Sequence, residues 1–241
     1  MALAPHLPAG LTAPLLASGV HPLGARAVRY ACCARVPGTA PGMGLPGADA
    51  AQARAWARAA VDRLRRLHDW RPADAVGRLL GEPLDHGGFT GRADLIAGID
   101  RLATLDRDGI VPRQTLDGLR SIAEHAPPVA GTAVPVHADC HWDNWLADDR
   151  TVTALLDFEW ARLGEPVDDW FFLVRFSGRH AGTVLDVVAG AAAVQPDAVR
   201  AGCEVREAAH LVSDLCVAFR QPAEHTRMAA ERLHALDELV T

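Results

Sequence analysis

The stretch that decides the fold is residues 136–169, VHADCHWDNWLADDRTVTALLDFEWARLGEPVDD. Three polar side chains in it stand out by their spacing: Asp139, Asn144 five residues later, and Asp157 thirteen residues beyond that. Asp157 follows the apolar run 154–156, so we expect its carboxylate at the end of a buried strand. The pattern therefore predicts an amide and a carboxylate at neighbouring strand ends, with Asp139 in the loop before them.

This arrangement suits the transfer of a phosphoryl group. The reaction needs positioning, neutralisation of charge by Mg²⁺, and a carboxylate that receives the proton of the acceptor hydroxyl. Mg²⁺ prefers oxygen ligands and commonly takes one or two protein groups besides phosphate oxygens and waters. Asn144 and Asp157 can supply those ligands, and Asp139 can face the hydroxyl. Protein kinases carry the same three residue types in this order.

Three segments carry a more specific resemblance: HADCHWDN at 137–144, LLDFE at 155–159 and GEPVDD at 164–169. They resemble the aminoglycoside phosphotransferase family, whose pattern is roughly H-G-D-x-H-x-x-N, then a hydrophobic pair with D-[WF]-E/D, then G-D-P-x-x-D. Ala138 stands where that family usually has Gly, and Glu165 where it usually has Asp. The missing glycine of a D-F-G motif favours this family over eukaryotic-type protein kinases.

The resemblance implies a role for each matching residue. It implies that Asp139 is the catalytic base and that Asn144 and Asp157 are Mg²⁺ ligands. It also implies that Asp169 is a buried carboxylate that braces the catalytic loop, and that His137 is structural. The implied phosphoryl donor is ATP or GTP with Mg²⁺, and the implied acceptor is a small hydroxylated antibiotic or metabolite.

The resemblance continues less sharply towards the N-terminus and covers about residues 13–218. YACCARVPG at 30–38 resembles the strand that joins the two lobes of such enzymes. The backbone of this strand would line the adenine pocket, which implies nucleotide contacts at Ala31, Cys32, Cys33 and Ala34. Leu67-His68, at the end of a long predicted helix, resembles a Leu-His pair usual in the family at that place.

The rest of the chain predicts an α+β arrangement. Strands are expected at 13–18 and 25–36, separated by a Gly/Pro turn at 19–24. Two further β-type runs, at 134–137 and 152–158, flank a polar loop at 138–150. Apolar periodicity predicts helices at 49–70, 73–80, 92–105, 113–125, 168–176, 181–193, 196–219 and 223–239. With the resemblance, this implies a protein-kinase-like fold with a truncated N-terminal β lobe and hinge strand at 1–38 and a helical C-terminal lobe at 39–241.

The front of that fold is expected to be incomplete. All 24 basic residues are arginine, which excludes an internal Schiff-base or phosphate-gripping lysine. Members of the family carry, further upstream, a nucleotide-covering loop, a strand with a lysine and a helix with its glutamate partner. Either the enzyme lacks that part, with an arginine or a second protein in its place, or the sequence is a shortened form. A shortened lobe exposes apolar surface, so we expect a homodimer or a partner protein there.

The composition indicates which classes of partner are excluded and in which compartment the protein is expected. The 241 residues carry a net charge of −6 with histidine neutral, which argues against a nucleic-acid binder. No run approaches the ~20 apolar residues that span a membrane. The five cysteines form no C-x-x-C pair, and we expect reduced thiols in the cytoplasm.

Other interpretations stay open at this point. The H-x-D-x-H spacing at 137–141 fits a zinc hydrolase, and Cys140 has histidine neighbours that could activate a thiol. The clustered aromatic residues, among them Trp142 and Trp145, could form a stacking platform, although core packing is the commoner use. Acidic residues near the motif could attract a cationic acceptor or be solvated loop charges; they are Asp143, Asp148, Asp149, Glu159, Glu165 and Asp168. A peptide hydroxyl as acceptor, or a degenerate kinase-like binding protein, are the competing functions.

Overall fold

The computed structural model of the chain describes residues 3–24, 26–82, 88–131 and 133–240. It divides into two compact units, one of residues 1–82 with 134–199 and the other of residues 83–133 with 200–241. The division of the chain at residue 38 into two lobes stays a prediction. None of the helices in the described ranges combines the length and apolarity that a membrane crossing requires.

The architecture is the predicted α+β arrangement, with more helix than strand. The helices are α1 (Ala50–His68), α2 (Asp74–Leu80), α3 (Arg92–Leu105), α4 (Arg113–His125), α5 (Pro166–Arg175), α6 (Ala181–Ala192), α7 (Pro196–Arg220) and α8 (Pro222–Val240). The strands are β1 (Leu15–Leu23), β2 (Arg26–Cys33), β3 (Val134–Val136), β4 (Trp145–Ala147), β5 (Val152–Leu155) and β6 (Arg162–Gly164). Each predicted helix is present with ends within two residues of the prediction, because periodicity and breakers are local signals.

Strands β1 and β2 form an antiparallel hairpin whose pairing runs from Leu15 opposite Cys33 to Leu23 opposite Arg26. The predicted turn at 19–24 is wrong, because β1 continues through Gly19. A Cβ at Gly19 would lie 3.0 Å from the ring of Tyr30 on β2. The glycine is thus the place where a cross-strand aromatic ring approaches the backbone. Ala25, where the second strand was predicted to begin, lies outside the described residues.

Both faces of this hairpin carry exposed apolar side chains. Leu16 is 67% exposed and Leu23 is 66% exposed, and Val20, Val28 and Tyr30 are also exposed. The predicted apolar surface is therefore present. That a second copy of the chain or a partner protein covers it stays a prediction.

Two further strand pairs position the motif residues. Strand β4 pairs antiparallel with β5, with Trp145 opposite Leu155. Strand β3 pairs antiparallel with β6, with Val136 opposite Arg162. Strand β4 was not predicted because it lies inside the segment 138–150, which reads as a polar loop, and strand β6 was not predicted either.

Each unit has its own apolar core. In the first unit, α1 packs against α6 and buries one apolar stripe that includes Leu64 and Leu67. The side chain of Asp49 caps the start of α1 by accepting from the Gln52 N–H. In the second unit, the buried cluster brings together side chains from α3, α4, α7 and α8, including Ile99, Leu102, Leu119, Leu215 and Leu236.

Candidate active site

The loop between β3 and β4 carries the HADCHWDN motif, and two buried indoles hold its far end. Trp142 Nε1 donates to Ser177 Oγ at 2.8 Å, and Trp145 Nε1 donates to the Cys140 carbonyl at 2.9 Å. Both tryptophans are fully buried. They therefore belong to the core that supports the loop, which agrees with core packing and excludes a stacking platform at these two rings.

The near end of the loop is held by the buried carboxylate of Asp169. Its Oδ2 accepts from the His137 N–H at 3.1 Å, and its Oδ1 accepts from the Ala138 N–H at 2.7 Å. The ring of His68, at the end of α1, donates to Oδ2 from Nε2 at 2.8 Å. Burial by itself raises the pKa of Asp169, but the hydrogen bond and charge of His68, with His137 and the Ala138 N–H, bring that pKa below its ordinary value.

Neither Cys140 nor His137 supports the alternative chemistries. Burial, with the nearby charge of Asp169, raises the pKa of the Cys140 thiol well above its ordinary value, so the thiol stays protonated and is not a nucleophile. The ring of His137 is fully buried and donates from Nε2 to the Leu156 carbonyl at 2.7 Å. No group of three or more His, Cys, Asp or Glu that could hold a metal occurs among the described residues.

The side chain of Asp139 is oriented by its neighbours in the loop. Asn144 Nδ2 donates to the Asp139 carbonyl at 2.7 Å and to its Oδ2 at 3.2 Å. His141 Nε2 lies 3.6 Å from the other carboxylate oxygen. Burial raises the pKa of Asp139, and the charges of Asp157 and Glu159 raise it further, against opposing contributions from His141 and Asn144. The result is a half-buried carboxylate that is more basic than usual.

Asp157 lies beside this pair, just past the end of β5. The Leu156 N–H donates to the Asn144 carbonyl at 2.8 Å, so the backbones of the two candidate metal ligands lie close together at the open end of the β4–β5 hairpin. Asp157 has a left-handed backbone, with φ 60° and ψ 71°. Such conformations in non-glycine residues cost free energy and cluster at functional sites. The structure thus brings Asp139, Asn144 and Asp157 together.

The segment predicted to contact the nucleotide lies at the end of β2 and is tied to the β4–β5 hairpin. Thr39 exchanges two backbone hydrogen bonds of 2.9 Å with Ala147. A Cβ at Gly38 would lie 2.7 Å from the Ala147 carbonyl oxygen, and Gly38 has φ 114°, so only glycine fits this crossing. Ala31, Cys32 and Cys33 are exposed. The Ala34 N–H donates to the Pro14 carbonyl at 2.8 Å, so this N–H is not free for an adenine.

Three of the acidic residues near the motif have structural roles. Asp148 Oδ1 accepts from the Arg150 and Thr151 N–H groups at 2.8 Å each, which closes the β4–β5 turn. Glu165 and Asp168 form a reciprocal capping box at the start of α5. Of the acidic side chains considered for attracting a cation, these three are therefore fixed by the backbone.

Comparison with known proteins agrees with this geometry. The model of the phosphotransferase enzyme family matches residues 1–205. The chain belongs to the phosphotransferase enzyme family. The match confirms the resemblance that the three motif segments show, and the chain is called the phosphotransferase from here on. A search among curated proteins finds no match.

Solved structures of phosphotransferases share its fold. Macrolide 2'-phosphotransferase MphH from Brachybacterium faecium is 20% identical, with 96% of this chain and 76% of that chain covered and a TM-score of 0.61. The GDP complex of aminoglycoside 2'-phosphotransferase-IIIa is 19% identical, with 95% and 75% covered and a TM-score of 0.71. ADP-bound aminoglycoside phosphotransferase APH(2'')-Ib is 14% identical, with 92% and 74% covered and a TM-score of 0.56. The protein-kinase-like fold is confirmed.

Ala138 gives a stability prediction for this phosphotransferase. Its φ is 61°, a conformation that costs an alanine roughly 1 kcal/mol or more and a glycine almost nothing. Because glycine also loses more backbone entropy on folding, we expect Ala138→Gly to raise the free energy of unfolding by up to about 1 kcal/mol. Urea denaturation measures it. Ala154→Gly, at a fully buried strand position, is the control and is expected to destabilise; equal losses in both variants contradict the prediction.

Proposed function

We propose that this phosphotransferase moves a phosphoryl group from a Mg²⁺-bound nucleoside triphosphate to a hydroxyl of a small molecule. The observation that carries the proposal is the placement of Asp139, Asn144 and Asp157. Asn144 Nδ2 donates to the Asp139 carboxylate, and the charge of Asp157, just past the end of β5, acts on Asp139. Phosphoryl transfer requires this combination of a base and oxygen ligands for a metal ion.

Asp139 is proposed as the group that accepts the proton of the acceptor hydroxyl. A general base works best when its pKa lies nearer the working pH, and burial raises the pKa of Asp139 in that direction. Asn144 Nδ2 donates to one oxygen of the Asp139 carboxylate, Oδ2. The ring of His141 lies 3.6 Å from the other oxygen, Oδ1. These contacts fix the orientation of the base before the acceptor binds.

The donor set fits Mg²⁺. Asn144 uses Nδ2 to hold Asp139, so its amide oxygen is the atom left for a cation. Asp157 is exposed and adds a carboxylate. Two hard oxygen donors from the protein, completed by phosphate oxygens and waters, match the preference of Mg²⁺. When bound there, the ion would neutralise phosphate charge, while Asn144 and Asp157 hold it and keep Asp139 oriented.

The nucleotide is proposed to contact the backbone of Ala31, Cys32 and Cys33, with Ala34 contributing its carbonyl. Support comes from the link between Thr39, five residues past this segment, and Ala147, which connects the chain after β2 to the hairpin that directly follows Asn144. Related folds are solved with GDP and with ADP, so GTP and ATP are both to be tested. Kanamycin, bound in one related structure, and a macrolide are the first acceptors to assay.

The second candidate function is a kinase-like protein that binds a nucleotide without transferring phosphate. The absence of lysine from the sequence favours it, because kinases orient the phosphates with a lysine. Calorimetry with Mg-ATP and Mg-GTP, combined with transfer of labelled phosphate, separates the two. Binding without transfer to any acceptor supports the second function, and no binding of either nucleotide contradicts both.

Asp157→Asn tests the metal site directly. We expect it to raise the Mg²⁺ concentration required for half-maximal nucleotide binding by about tenfold or more, because a charged ligand is replaced by a neutral one. Calorimetry of nucleotide binding across a Mg²⁺ series measures this without any turnover. Glu159→Gln, an exposed carboxylate two residues away, removes the same charge and is expected to leave the requirement nearly unchanged. Equal shifts in the two variants remove Asp157 from the ligand set.

A further inference from the structure

The helical unit of residues 83–133 and 200–241 contains a pocket that the proposed function does not use. Its volume is about 290 Å³, just below the ~300–1,000 Å³ range of small-molecule sites. Helices α3 and α7 form its two long walls. Apolar side chains line much of it, including Phe89, Leu95, Val212 and Val217.

The two helices come close together at Gly98. A Cβ on Gly98 would lie 3.2 Å from Val212 Cγ1, and the Cys216 thiol points at the Gly98 carbonyl with Sγ 3.8 Å from the oxygen. Cys216 is thus a wall residue of the pocket. One helical turn further along each helix lies an arginine, Arg101 on α3 and Arg220 on α7.

Both arginines line the pocket and are exposed at its mouth. Among the described residues, the side chain of neither arginine makes a hydrogen bond or an ion pair. The carboxylate of the neighbouring Asp100 is paired with Arg120 at 3.0 Å. Burial raises the pKa of the Cys216 thiol, while the charges of Arg101 and Arg220 oppose that rise. The two positive charges therefore converge on the end of the pocket where Cys216 lies.

The opposite end of the pocket has a different character. Asp94 lies there and accepts from Thr90 Oγ1 at 2.6 Å. Asp94 precedes Arg101 by seven residues, which is about 10 Å along a helix axis. Salt screens charges strongly over that distance. The carboxylate of Asp94 therefore leaves the positive end of the pocket available to an anion.

We propose that this pocket binds a small organic anion, whose carboxylate or phosphate contacts Arg101 and Arg220 and whose apolar body lies against Leu95 and Val212. Arginine suits both head groups, because its planar guanidinium donates two parallel hydrogen bonds to either. The apolar walls bind the rest of the molecule by removing its surface from water. This site goes beyond the proposed phosphoryl transfer and does not depend on it.

Charge-selective labelling of Cys216 tests the positive end. Two methanethiosulfonates of similar size are compared, the anionic 2-sulfonatoethyl and the cationic 2-(trimethylammonio)ethyl reagents. The thiolate attacks the reagent sulfur, a disulfide forms, and methanesulfinate leaves with the electron pair of the broken S–S bond. The ratio of the two rates does not depend on the thiolate fraction. We expect the anionic reagent to react about tenfold faster or more at Cys216, measured by peptide mass spectrometry.

The controls are in the same molecule and in matched variants. Cys32 and Cys33 are exposed thiols of the other unit, and their rate ratio gives the baseline. In the double variant Arg101→Gln/Arg220→Gln the ratio at Cys216 should fall to that baseline, whereas Arg107→Gln, at an exposed arginine outside the pocket lining, should keep it. An unchanged ratio in the double variant overturns the proposal, and so does a Cys216 that reacts with neither reagent.

Protection experiments test the ligand. The rate at which the neutral reagent methyl methanethiosulfonate labels Cys216 is measured in the presence of benzoate, phenyl phosphate or the neutral benzamide, and a slower rate is scored as protection. Protection by benzoate alone identifies a carboxylate site, and protection by phenyl phosphate alone identifies a phosphate site. Either result, or protection by the two anions, supports the proposal. Protection by benzamide to the same extent overturns the anion selectivity. Absence of protection by both anions overturns the site.

Discussion

Asp139→Asn is expected to lower the turnover number by about 10²–10⁴-fold, which is the usual contribution of a positioned acid–base group. Asparagine keeps the size of the side chain and can still accept from Asn144 Nδ2, but it cannot take the proton of the acceptor. Nucleotide binding should change little. The measurement is transfer of labelled phosphate from ATP and GTP to the accepted hydroxyl compound, with calorimetry of nucleotide binding beside it.

The pH dependence of the same reaction gives an independent readout. Because the pKa of Asp139 lies above the ordinary value, the rate of the wild type should fall as the pH drops through that raised pKa, where the base becomes protonated. In Asp139→Asn this acid limb should disappear. Asp143→Asn, an exposed carboxylate in the same loop, removes the same charge and should keep both the rate and the limb. A wild-type rate in Asp139→Asn would exclude Asp139 as the base.

The elements that could be predicted are those whose signals are local. Helices α3 and α4 have the predicted bounds, since Gly91 precedes one and Pro112 precedes the other and each buries residues at helical spacing. The grouping of Asp139 with Asn144 was also predictable, because both lie in one short loop. Asp157 could be placed with them from the strand that precedes it.

The features that escaped prediction depend on partners far away in the sequence. Strand β1 runs through Gly19, which pairs with Tyr30 on β2, whereas the local sequence reads as a Gly/Pro turn. Ser177 holds Trp142 from 35 residues away. The pocket beside Cys216 depends on the close approach of α3 and α7 at Gly98. Such contacts are decided by tertiary packing, which overrides local propensity.

Asp169→Asn is expected to reduce the free energy of unfolding by about 1–3 kcal/mol or more, the usual cost of leaving a buried donor without an acceptor. The carboxylate of Asp169 accepts from two backbone N–H groups and from the ring of His68. An asparagine offers one oxygen and turns an NH₂ group towards one of these donors, so at least one donor stays buried without an acceptor. The midpoint of urea denaturation at neutral pH measures the loss.

Two control variants and the pH separate this anchor from a general loss of charge. Asp62→Asn, at an exposed position of α1, should change the free energy of unfolding by less than about 0.5 kcal/mol. His68→Gln, whose amide can still donate to Asp169 Oδ2, should cost less than Asp169→Asn, because both backbone donors also keep their acceptor. Since the pKa of Asp169 is lowered on folding, its contribution is complete above the ordinary value of 3.8 and is lost as the pH falls through the lowered pKa. The stability difference between wild type and Asp169→Asn must therefore shrink in acid, and a difference that is small at neutral pH or constant into acid contradicts the proposed anchor.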